Sequence, residues 1–184
     1  MGEAGKRARA LQERAIRTRR KIVDGAFGAL ATHGVTNLTH RAVARAAGVS
    51  LAATTYHYAT KQDILAETSR MLMDGYLDAF RRLETRLGAG EETGLHTLED
   101  LVMRVVGTAL ERERERSLAW CELILHGGRN AEGRALAQSW YTGLDGIWAG
   151  ISDRLPSRTG LRAGAAIDLA VGFTFLLHPL APDA

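Results

Sequence analysis

Side chains able to contact nucleic acid are concentrated in one stretch of the chain, from Thr39 to Lys61. The stretch reads THRAVARAAGVSLAATTYHYATK and carries hydroxyl, imidazole, phenol, guanidinium and ammonium groups. In proteins these groups bond to the phosphate oxygens of DNA or to the edges of its bases. The residue types therefore indicate the binding of a polyanion.

The same stretch has the pattern of two short helices joined by a tight turn. Thr39 is a suitable N-cap for a first helix that runs to about Ala46, and Ser50 is a suitable N-cap for a second, from Leu51 to about Tyr58. Gly48 lies between them and can adopt the positive φ that a tight turn requires. This is the pattern of a helix-turn-helix, which places its second helix in the major groove of DNA.

The candidate DNA contacts follow from that placement. The side chains able to reach DNA from the second helix and its cap are Ser50, Leu51, Ala52, Thr55, Tyr56 and His57. The candidates for phosphate contacts are Thr39, Arg41 and Lys61, with one or more of Arg17, Arg19 and Arg20 as additions. Few of the groove-facing residues form bidentate hydrogen bonds to bases, so Leu51 and Ala52 suggest apolar contact with thymine methyl groups.

The charge distribution supports a polyanion partner for the amino-terminal third. Residues 1–61 hold eleven basic and three acidic residues, a net charge of +8, whereas the remainder of the chain has a net charge of −5. A single cysteine, Cys121, cannot form a disulfide within the chain, and the longest apolar run is too short to span a bilayer. We therefore expect a soluble cytoplasmic protein with no cofactor and no metal.

The hydrophobic periodicity predicts an all-α chain in three parts. Residues 1–13 lack clear apolar periodicity and are expected to form a flexible basic arm. Residues 14–61 form the helix-turn-helix domain, whose first helix begins at Arg14, includes Ile16 on its apolar face and ends at a left-handed glycine cap, Gly34. Residues 62–184 form a helical regulatory domain, with helices expected at about 62–87, 95–113, 117–125, 131–155 and 163–177.

The motifs of the first part resemble those of a known family. VARAAGVS at 43–50, TYHYATK at 55–61 and DIL at 63–65 look like the DNA-binding domain of the tetracycline-repressor (TetR) family of bacterial transcriptional regulators, over about 19–65. The resemblance implies a homodimeric repressor that binds a palindromic operator and releases it when a small molecule binds the carboxy-terminal domain. Leu51 and Thr55 depart from the residues common in the family, so no operator sequence is implied.

The resemblance also implies a ligand pocket among the central helices and dimerisation through the last two long helices. Mostly apolar residues with a few polar groups are the pocket candidates: Met103, Trp120, Cys121, Ile124, His126 and Tyr141. Large apolar residues of the last helices are the dimer candidates: Trp140, Leu144, Ile147, Trp148, Phe173 and Leu176. The alternative for both sets is ordinary packing within one chain.

Other classes of function remain as alternatives. Catalysis is not expected, because Cys121 and His126 lie about 500° apart around a helix and no acid completes a triad. An architectural DNA-binding protein would bind every duplex with similar affinity, whereas a repressor would strongly prefer its operator. A regulator that responds to a protein partner instead of a small molecule is also possible.

Overall fold

The computed structural model describes residues 2–111, 114–129, 131–160, 162, 164–166, 168–169 and 172. Seven helices are bounded within them, further helical residues lie at 164–166, 168–169 and 172, and no strand occurs over this part of the chain, so the all-α prediction is confirmed. The helices are α1 (Glu3–Asn37), α2 (His40–Ala47), α3 (Leu51–His57), α4 (Lys61–Gly88), α5 (Leu98–Glu111), α6 (Arg114–Gly127) and α7 (Ala131–Ser152). None of these seven helices combines the length and the apolar character needed to cross a bilayer.

Two compact units divide the chain, Met1–Arg70 and Met71–Ala184. The first unit extends beyond the boundary expected after residue 61 and includes the start of α4, where Ile64 and Leu65 are buried and Glu67 lies 3.7 Å from Arg19 of α1. The helix expected at 62–87 is confirmed, as α4 runs from Lys61 to Gly88.

Helix α1 differs most from the sequence-based expectation. It begins at Glu3, so the segment expected to be a flexible arm is helical. Ile16, expected on the apolar face, is 59% exposed, and continuous burial begins only at Ile22. The regular helix stops at Gly34, whose φ of 68° and ψ of 171° are non-helical. The positive φ agrees with the prediction, but this ψ is extended instead of left-handed helical, and only glycine adopts the combination readily.

The core of the first unit joins α1 to the helix-turn-helix. Its buried members include Ile22, Val23, Ala26, Leu30, Leu38, Val43, Tyr58, Ile64 and Leu65. The closest approach is at Gly25, where an added Cβ would lie 2.5 Å from the backbone nitrogen of Ala47 and 2.7 Å from its Cα. Only a glycine therefore permits α1 to lie this close to the end of α2.

Helices α4 and α5 begin with the same capping arrangement. Asp63 accepts a hydrogen bond from the Thr60 amide (2.8 Å), and the Asp63 amide donates to the Thr60 hydroxyl (3.1 Å). Asp100 and Thr97 repeat these two bonds at 2.9 and 3.2 Å. The sequence signal is present in both cases as Thr-x-x-Asp before an apolar run.

In the second unit, α7 packs closely against its neighbours at glycines. An added Cβ at Gly133 would lie 2.3 Å from the Cα of Gly127, and one at Gly143 would lie 3.4 Å from the side chain of Leu77. At Gly150 an added Cβ would overlap the carboxylate of Glu84. These glycines therefore serve contacts within the chain.

The residues expected to form the dimer core are also used within the chain. Trp140, Leu144, Ile147 and Trp148 are each at least nine-tenths buried. The Trp148 ring lies 4.8 Å from the ring of Phe80 on α4. These four residues are therefore covered by atoms of their own chain, and their part in a dimer stays a prediction. Phe173, Leu176 and most of the helix expected at 163–177 lie outside the described residues.

Glu99, near the start of α5, holds the segment that follows α7. Its carboxylate accepts from the hydroxyls of Ser157 and Thr159, both at 2.7 Å, and from the amides of Arg158 (3.2 Å) and Thr159 (3.1 Å). The hydroxyl bonds from Ser157 and Thr159 hold the pKa of Glu99 well below its usual range, with a smaller contribution from backbone amides. Only the ionised carboxylate accepts all four bonds.

We expect this site to make stability depend on pH. Because the pKa is lower in the folded state than the unfolded value of about 4.3, the stabilisation is present above that value and is lost as pH falls below it. Glu99→Gln should thus destabilise the protein at pH 7 and have a much smaller effect at the acid end, as measured by urea unfolding across the pH range. Glu91→Gln, at an exposed position, is the control. Equal destabilisation by Glu99→Gln at pH 7 and at the acid end of the range would contradict a stabilising role for the ionised carboxylate.

Candidate nucleic-acid interface

The paired helices α2 and α3 have the caps and turn that the sequence predicts. The Thr39 hydroxyl accepts from the Ala42 amide and the Ser50 hydroxyl accepts from the Ala53 amide, both at 3.1 Å. Gly48 ends α2 in the left-handed conformation, with φ 63° and ψ 36°. Side chains at the two helix starts therefore satisfy backbone amides that would otherwise lack partners.

The inner side of α3 is held by residues that do not face solvent. Thr54 is fully buried, and its hydroxyl donates to the Ser50 carbonyl at 3.2 Å. Tyr58 follows the helix and is also buried. Its carbonyl lies 2.9 Å from the Nε2 of His40, which joins the end of α3 to the start of α2. Sequence reasoning missed His40, because its partner lies eighteen residues away and no local pattern indicates the contact.

The outer side of α3 is open to solvent at the expected positions. Tyr56 is 83% exposed and Leu51 is 42% exposed, and Ser50, Ala52 and Thr55 are exposed as well. The rings of Tyr56 and His57 meet edge to face with centroids 5.2 Å apart, and His57 is half-buried. The structure thus brings the six predicted groove-facing residues onto one short helix and its cap.

The hydroxyl group of Thr55 is less available for hydrogen bonding to DNA than the sequence suggests. Its hydroxyl lies 3.1 Å from the Leu51 carbonyl and 3.2 Å from the Ala52 carbonyl, so it donates back into its own helix. Its oxygen can still accept a hydrogen bond but cannot donate one to phosphate without breaking this contact. The side chain of Tyr56, by contrast, is 83% exposed.

The three residues predicted to contact phosphate differ in the contacts that their side chains make within the protein. Thr39 uses its hydroxyl as a cap, which leaves the first amides of α2 available to an anion. Arg41 is exposed on α2. The ammonium group of Lys61 donates to the carbonyl of Thr36 at 3.0 Å, so this group is oriented before any DNA is bound.

We expect Lys61→Met to lower the salt dependence of DNA binding by about one unit in the slope of log K against log [salt], because the variant binds one phosphate fewer. The methionine keeps most of the apolar stem, and Lys61→Arg should keep the slope because it keeps the charge. Fluorescence anisotropy at several salt concentrations measures the effect. An unchanged slope in Lys61→Met would leave Lys61 only as a link to Thr36.

Arg19, one of the three arginines proposed for phosphate, is engaged inside the first unit. Its guanidinium carbon lies 5.3 Å from the centroid of the Tyr58 ring, and one nitrogen lies 3.7 Å from the Glu67 carboxylate. Burial raises the pKa of Tyr58, and the adjacent Arg19 guanidinium partly opposes this rise. All three arginines, Arg17, Arg19 and Arg20, are exposed. Arg19 therefore fastens α1 to the end of α3, a contact that the sequence does not indicate.

The predicted ligand residues are only partly brought together in the second unit. Trp120 and Cys121 are buried on α6, and Ile124 and His126 are half-buried further along that helix. Met103 is 69% exposed on α5 and does not line an interior site. Sequence pattern alone could not separate Met103 from its buried neighbours Val102 and Val106, because α5 is apolar on much of its circumference.

Aromatic rings surround Trp120. Its ring lies 5.5 Å from that of Tyr76 on α4 and 4.7 Å from that of Trp140 on α7, measured between centroids. Tyr141 extends the set at 5.2 Å from Trp140, although it is 46% exposed and its hydroxyl donates to Asp168 at 3.3 Å. We call Tyr76, Trp120, Trp140 and Tyr141 the aromatic cluster.

Two indole nitrogens of α7 have no acceptor among the described residues, and one of them belongs to the aromatic cluster. The indole nitrogens of Trp140 and Trp148 are buried, and no hydrogen-bond acceptor among the described residues reaches them. Nearby, burial raises the pKa of the Cys121 thiol to about 11. The thiol is thus protonated at neutral pH and is a poor nucleophile.

Comparison with known proteins agrees with this geometry. Residues 22–68, which include α2 and α3, match the family model of the bacterial regulatory proteins of the tetR family. The HTH-type transcriptional regulator BetI of Agrobacterium fabrum is 30% identical over 119 residues, covering 64% of this chain and 55% of BetI. The chain therefore matches about half the length of that relative.

Solved structures match over most of the chain. A member of the TetR family from Streptomyces coelicolor is 28% identical, with a TM-score of 0.63 over 90% of this chain and 91% of that one. The multidrug binding protein EbrR complexed with ethidium is 27% identical, with a TM-score of 0.59 over 91% and 89% of the two chains. Residues 22–68 therefore resemble the tetR family of bacterial regulatory proteins, and the chain resembles a solved member of that family over most of its length.

Proposed function

We propose that this protein is a homodimeric repressor that binds a palindromic operator in the cytoplasm and releases it when a small molecule binds the second unit. The observation that carries the DNA-binding part is the capped α2–α3 pair with an exposed outer side on α3, inside a unit of strongly basic composition. In helix-turn-helix proteins such a helix enters the major groove with its first turn nearest the bases.

The residues divide into base-contacting and phosphate-contacting groups. Tyr56 and Leu51 are the largest exposed side chains of α3, so we assign them the contacts that select sequence, Leu51 against thymine methyl groups. Ser50, Ala52, Thr55 and His57 complete the groove-facing surface. Thr39, Arg41 and Lys61 bind phosphates and fix the orientation of the helix on the duplex.

Dimerisation is proposed through the exposed side of α7. Gly146 is exposed, and nothing lies within 4 Å of the position of an added Cβ, unlike Gly143 and Gly150 on the same helix. A second copy could therefore approach the α7 backbone closely at this point. Two subunits are needed because a palindrome presents two half-sites, separated by about one helical turn or ~34 Å.

The aromatic cluster is the proposed effector site. Rings at 4.7–5.5 Å offer faces and edges for a flat aromatic molecule, and the buried N–H group of Trp140 would gain from an acceptor atom. EbrR is described in complexes with ethidium and with malachite green, the latter structure being 25% identical with a TM-score of 0.56. We therefore infer an aromatic effector that also carries a hydrogen-bond acceptor.

The DNA-binding proposal is tested by selecting genomic fragments with the purified protein. A repressor should enrich a short palindrome and bind it at least ~10³-fold more tightly than random duplex at the same salt concentration. Sedimentation of the complex should give two subunits for each palindrome. Equal affinity for every duplex would instead indicate an architectural protein.

The effector proposal is tested first without DNA, because ethidium itself intercalates into duplexes. Malachite green should quench tryptophan fluorescence of the wild type, and Trp140→Phe, which keeps a ring but removes the N–H, should bind a dye analogue bearing an acceptor more weakly. Met103→Leu, at an exposed position, is the matched control. A bound compound must then release the operator, since a ligand with equal affinity for both states shifts nothing. Binding without release would leave regulation by a protein partner as the explanation.

A further inference from the structure

The first part of α1 is a helix that presents its side chains to solvent. From Glu3 to Lys21 every described side chain is exposed except Ala15 and Thr18, which are half-buried. We call this segment, residues 3–21, the basic extension. At about 1.5 Å for each residue it is about 28 Å long. It continues without interruption into the part of α1 that packs against α2 and α3.

The basic residues of this extension are gathered on one side. At about 100° for each residue, seven of the eight fall within an arc of about 160°, on the side opposite to the buried Ile22, Ala26 and Leu30. The seven are Lys6, Arg7, Arg9, Arg14, Arg17, Arg20 and Lys21. Arg19 lies outside the arc and faces Tyr58 and Glu67. The helical repeat therefore places Arg19 against the first unit and the other seven basic side chains on the opposite side of α1.

Few acidic groups neutralise this side. Glu13 pairs with Arg9 at 3.1 Å, and Glu3 is the other acid of the segment. Arg14 and Arg17 are three residues apart, and Arg17 and Lys21 are four apart, so like charges are neighbours on the helix surface. Such pairs weaken an isolated helix by a few tenths of a kcal/mol each, and a polyanion alongside would remove that repulsion.

The position of the extension relates it to the DNA-binding helix. Arg19, at its end, lies 5.3 Å from the ring of Tyr58, the residue that caps α3. The extension therefore joins the rest of α1 beside the carboxyl end of α3, with its basic side on the opposite face of the helix from Arg19, and it belongs to the same compact unit. A length of about 28 Å corresponds to roughly 8 base pairs at 3.4 Å each.

We propose that the basic extension is a second DNA-binding element, which lies along the phosphate backbone of the duplex beyond the bases contacted by α3. It binds phosphates through its arginines and lysines and reads no sequence, because its basic side chains stand on a helix outside the helix-turn-helix pair. Its effect is to lengthen the occupied site and to add salt-dependent affinity. This inference rests on the proposed binding of duplex DNA by the first unit.

The test uses the full chain and a mixed-sequence duplex of about 40 base pairs, so that no operator needs to be known. Arg7, Arg14 and Arg17 are changed together to glutamine, which keeps good helix propensity. The slope of log K against log [salt] should fall by about 0.9 for each phosphate that the variant no longer binds, or up to about 2.7 for each subunit. The same three positions changed to lysine should keep the wild-type slope.

A matched control removes the same charge elsewhere. Arg82, Arg129 and Arg162 are exposed in the second unit, and changing all three to glutamine should leave the slope within about 0.5 unit of the wild type. Far-UV circular dichroism checks that all variants keep their helix content. An unchanged slope in the Arg7, Arg14 and Arg17 variant would overturn the inference.

Further outcomes distinguish failure of this inference from failure of the proposed function. If the wild type binds no duplex at low salt, DNA binding itself fails and the inference fails with it. If the wild type binds DNA but the two triple glutamine variants behave alike, only the inference fails. If polyglutamate at equal charge binds the extension as well as DNA does, the basic side is a surface for acidic proteins, which also overturns the inference.

Discussion

Gly25→Ala should destabilise the first unit by about 1–3 kcal/mol and reduce DNA binding with it. The added methyl group would lie 2.5–2.7 Å from the backbone and Cβ of Ala47, well inside van der Waals contact. Backbone atoms cannot rotate away as a side chain can, so α1 and α2 must separate or shift, at the cost typical of an overpacked core. Urea unfolding monitored by circular dichroism measures the change.

Gly75→Ala is the matched control for this prediction. It makes the same chemical change within a helix, but nothing lies within 4 Å of the added Cβ. Alanine is more favourable than glycine in a helix interior, so this variant should be more stable by roughly 0.5–1 kcal/mol. Opposite signs for the two variants would support the close contact at Ala47. Stabilisation by both would show that α1 and α2 are further apart than the structure has them.

Tyr56→Ala should cost about 1–3 kcal/mol of operator affinity, about five- to 150-fold, and much less on random duplex. The side chain is 83% exposed in the absence of DNA, so its ring and hydroxyl are available for groove contacts. Contacts that discriminate bases have about this magnitude. Competition binding with the selected operator and a scrambled duplex at one salt concentration measures both effects.

Tyr56→Phe separates the ring from the hydroxyl. If the hydroxyl bonds to a base edge, the phenylalanine variant should lose most of the specificity that the alanine variant loses. If the ring packs on thymine methyl groups, it should behave like the wild type. Equal reductions in affinity for operator and scrambled duplex in Tyr56→Ala would show that Tyr56 only anchors the protein to the backbone.

Local sequence signals predict the centre of the DNA-binding unit well. Thr39, Gly48 and Ser50 form hydrogen bonds with backbone groups three or four residues away. A short stretch of sequence therefore contains both partners of each contact. The bounds of α4 also agree with the prediction to within a residue at each end, because its apolar positions recur over many turns.

The basic extension of α1 shows where prediction from apolar periodicity fails. Periodicity finds no apolar face before Arg14 and so indicates a flexible arm. The segment is nonetheless rich in Ala, Arg, Leu, Gln and Glu, which have high intrinsic helix propensity. Propensity, weighed separately from periodicity, would have predicted the helix that starts at Glu3.

Contacts between distant residues could not be read from the sequence. His40 meets Tyr58, Arg19 meets Tyr58 and Glu67, and Gly25 meets Ala47 only because the helices fold together. The tryptophans of α7 illustrate the same limit for assembly. Their size predicts burial, but a sequence does not say whether the covering atoms come from the same chain or from a second copy.

The arrangement of α3 separates the residues that hold the helix from those that face solvent. Thr54 and Tyr58 are buried and the Ser50 cap is formed by its own hydroxyl, whereas the side chains at 51, 52 and 56 are exposed. Substitutions at these three outward positions should therefore leave the fold intact. The protein is accordingly a suitable scaffold for selecting new operator preferences from a library randomised at 51, 52 and 56, with positions 54 and 58 kept fixed.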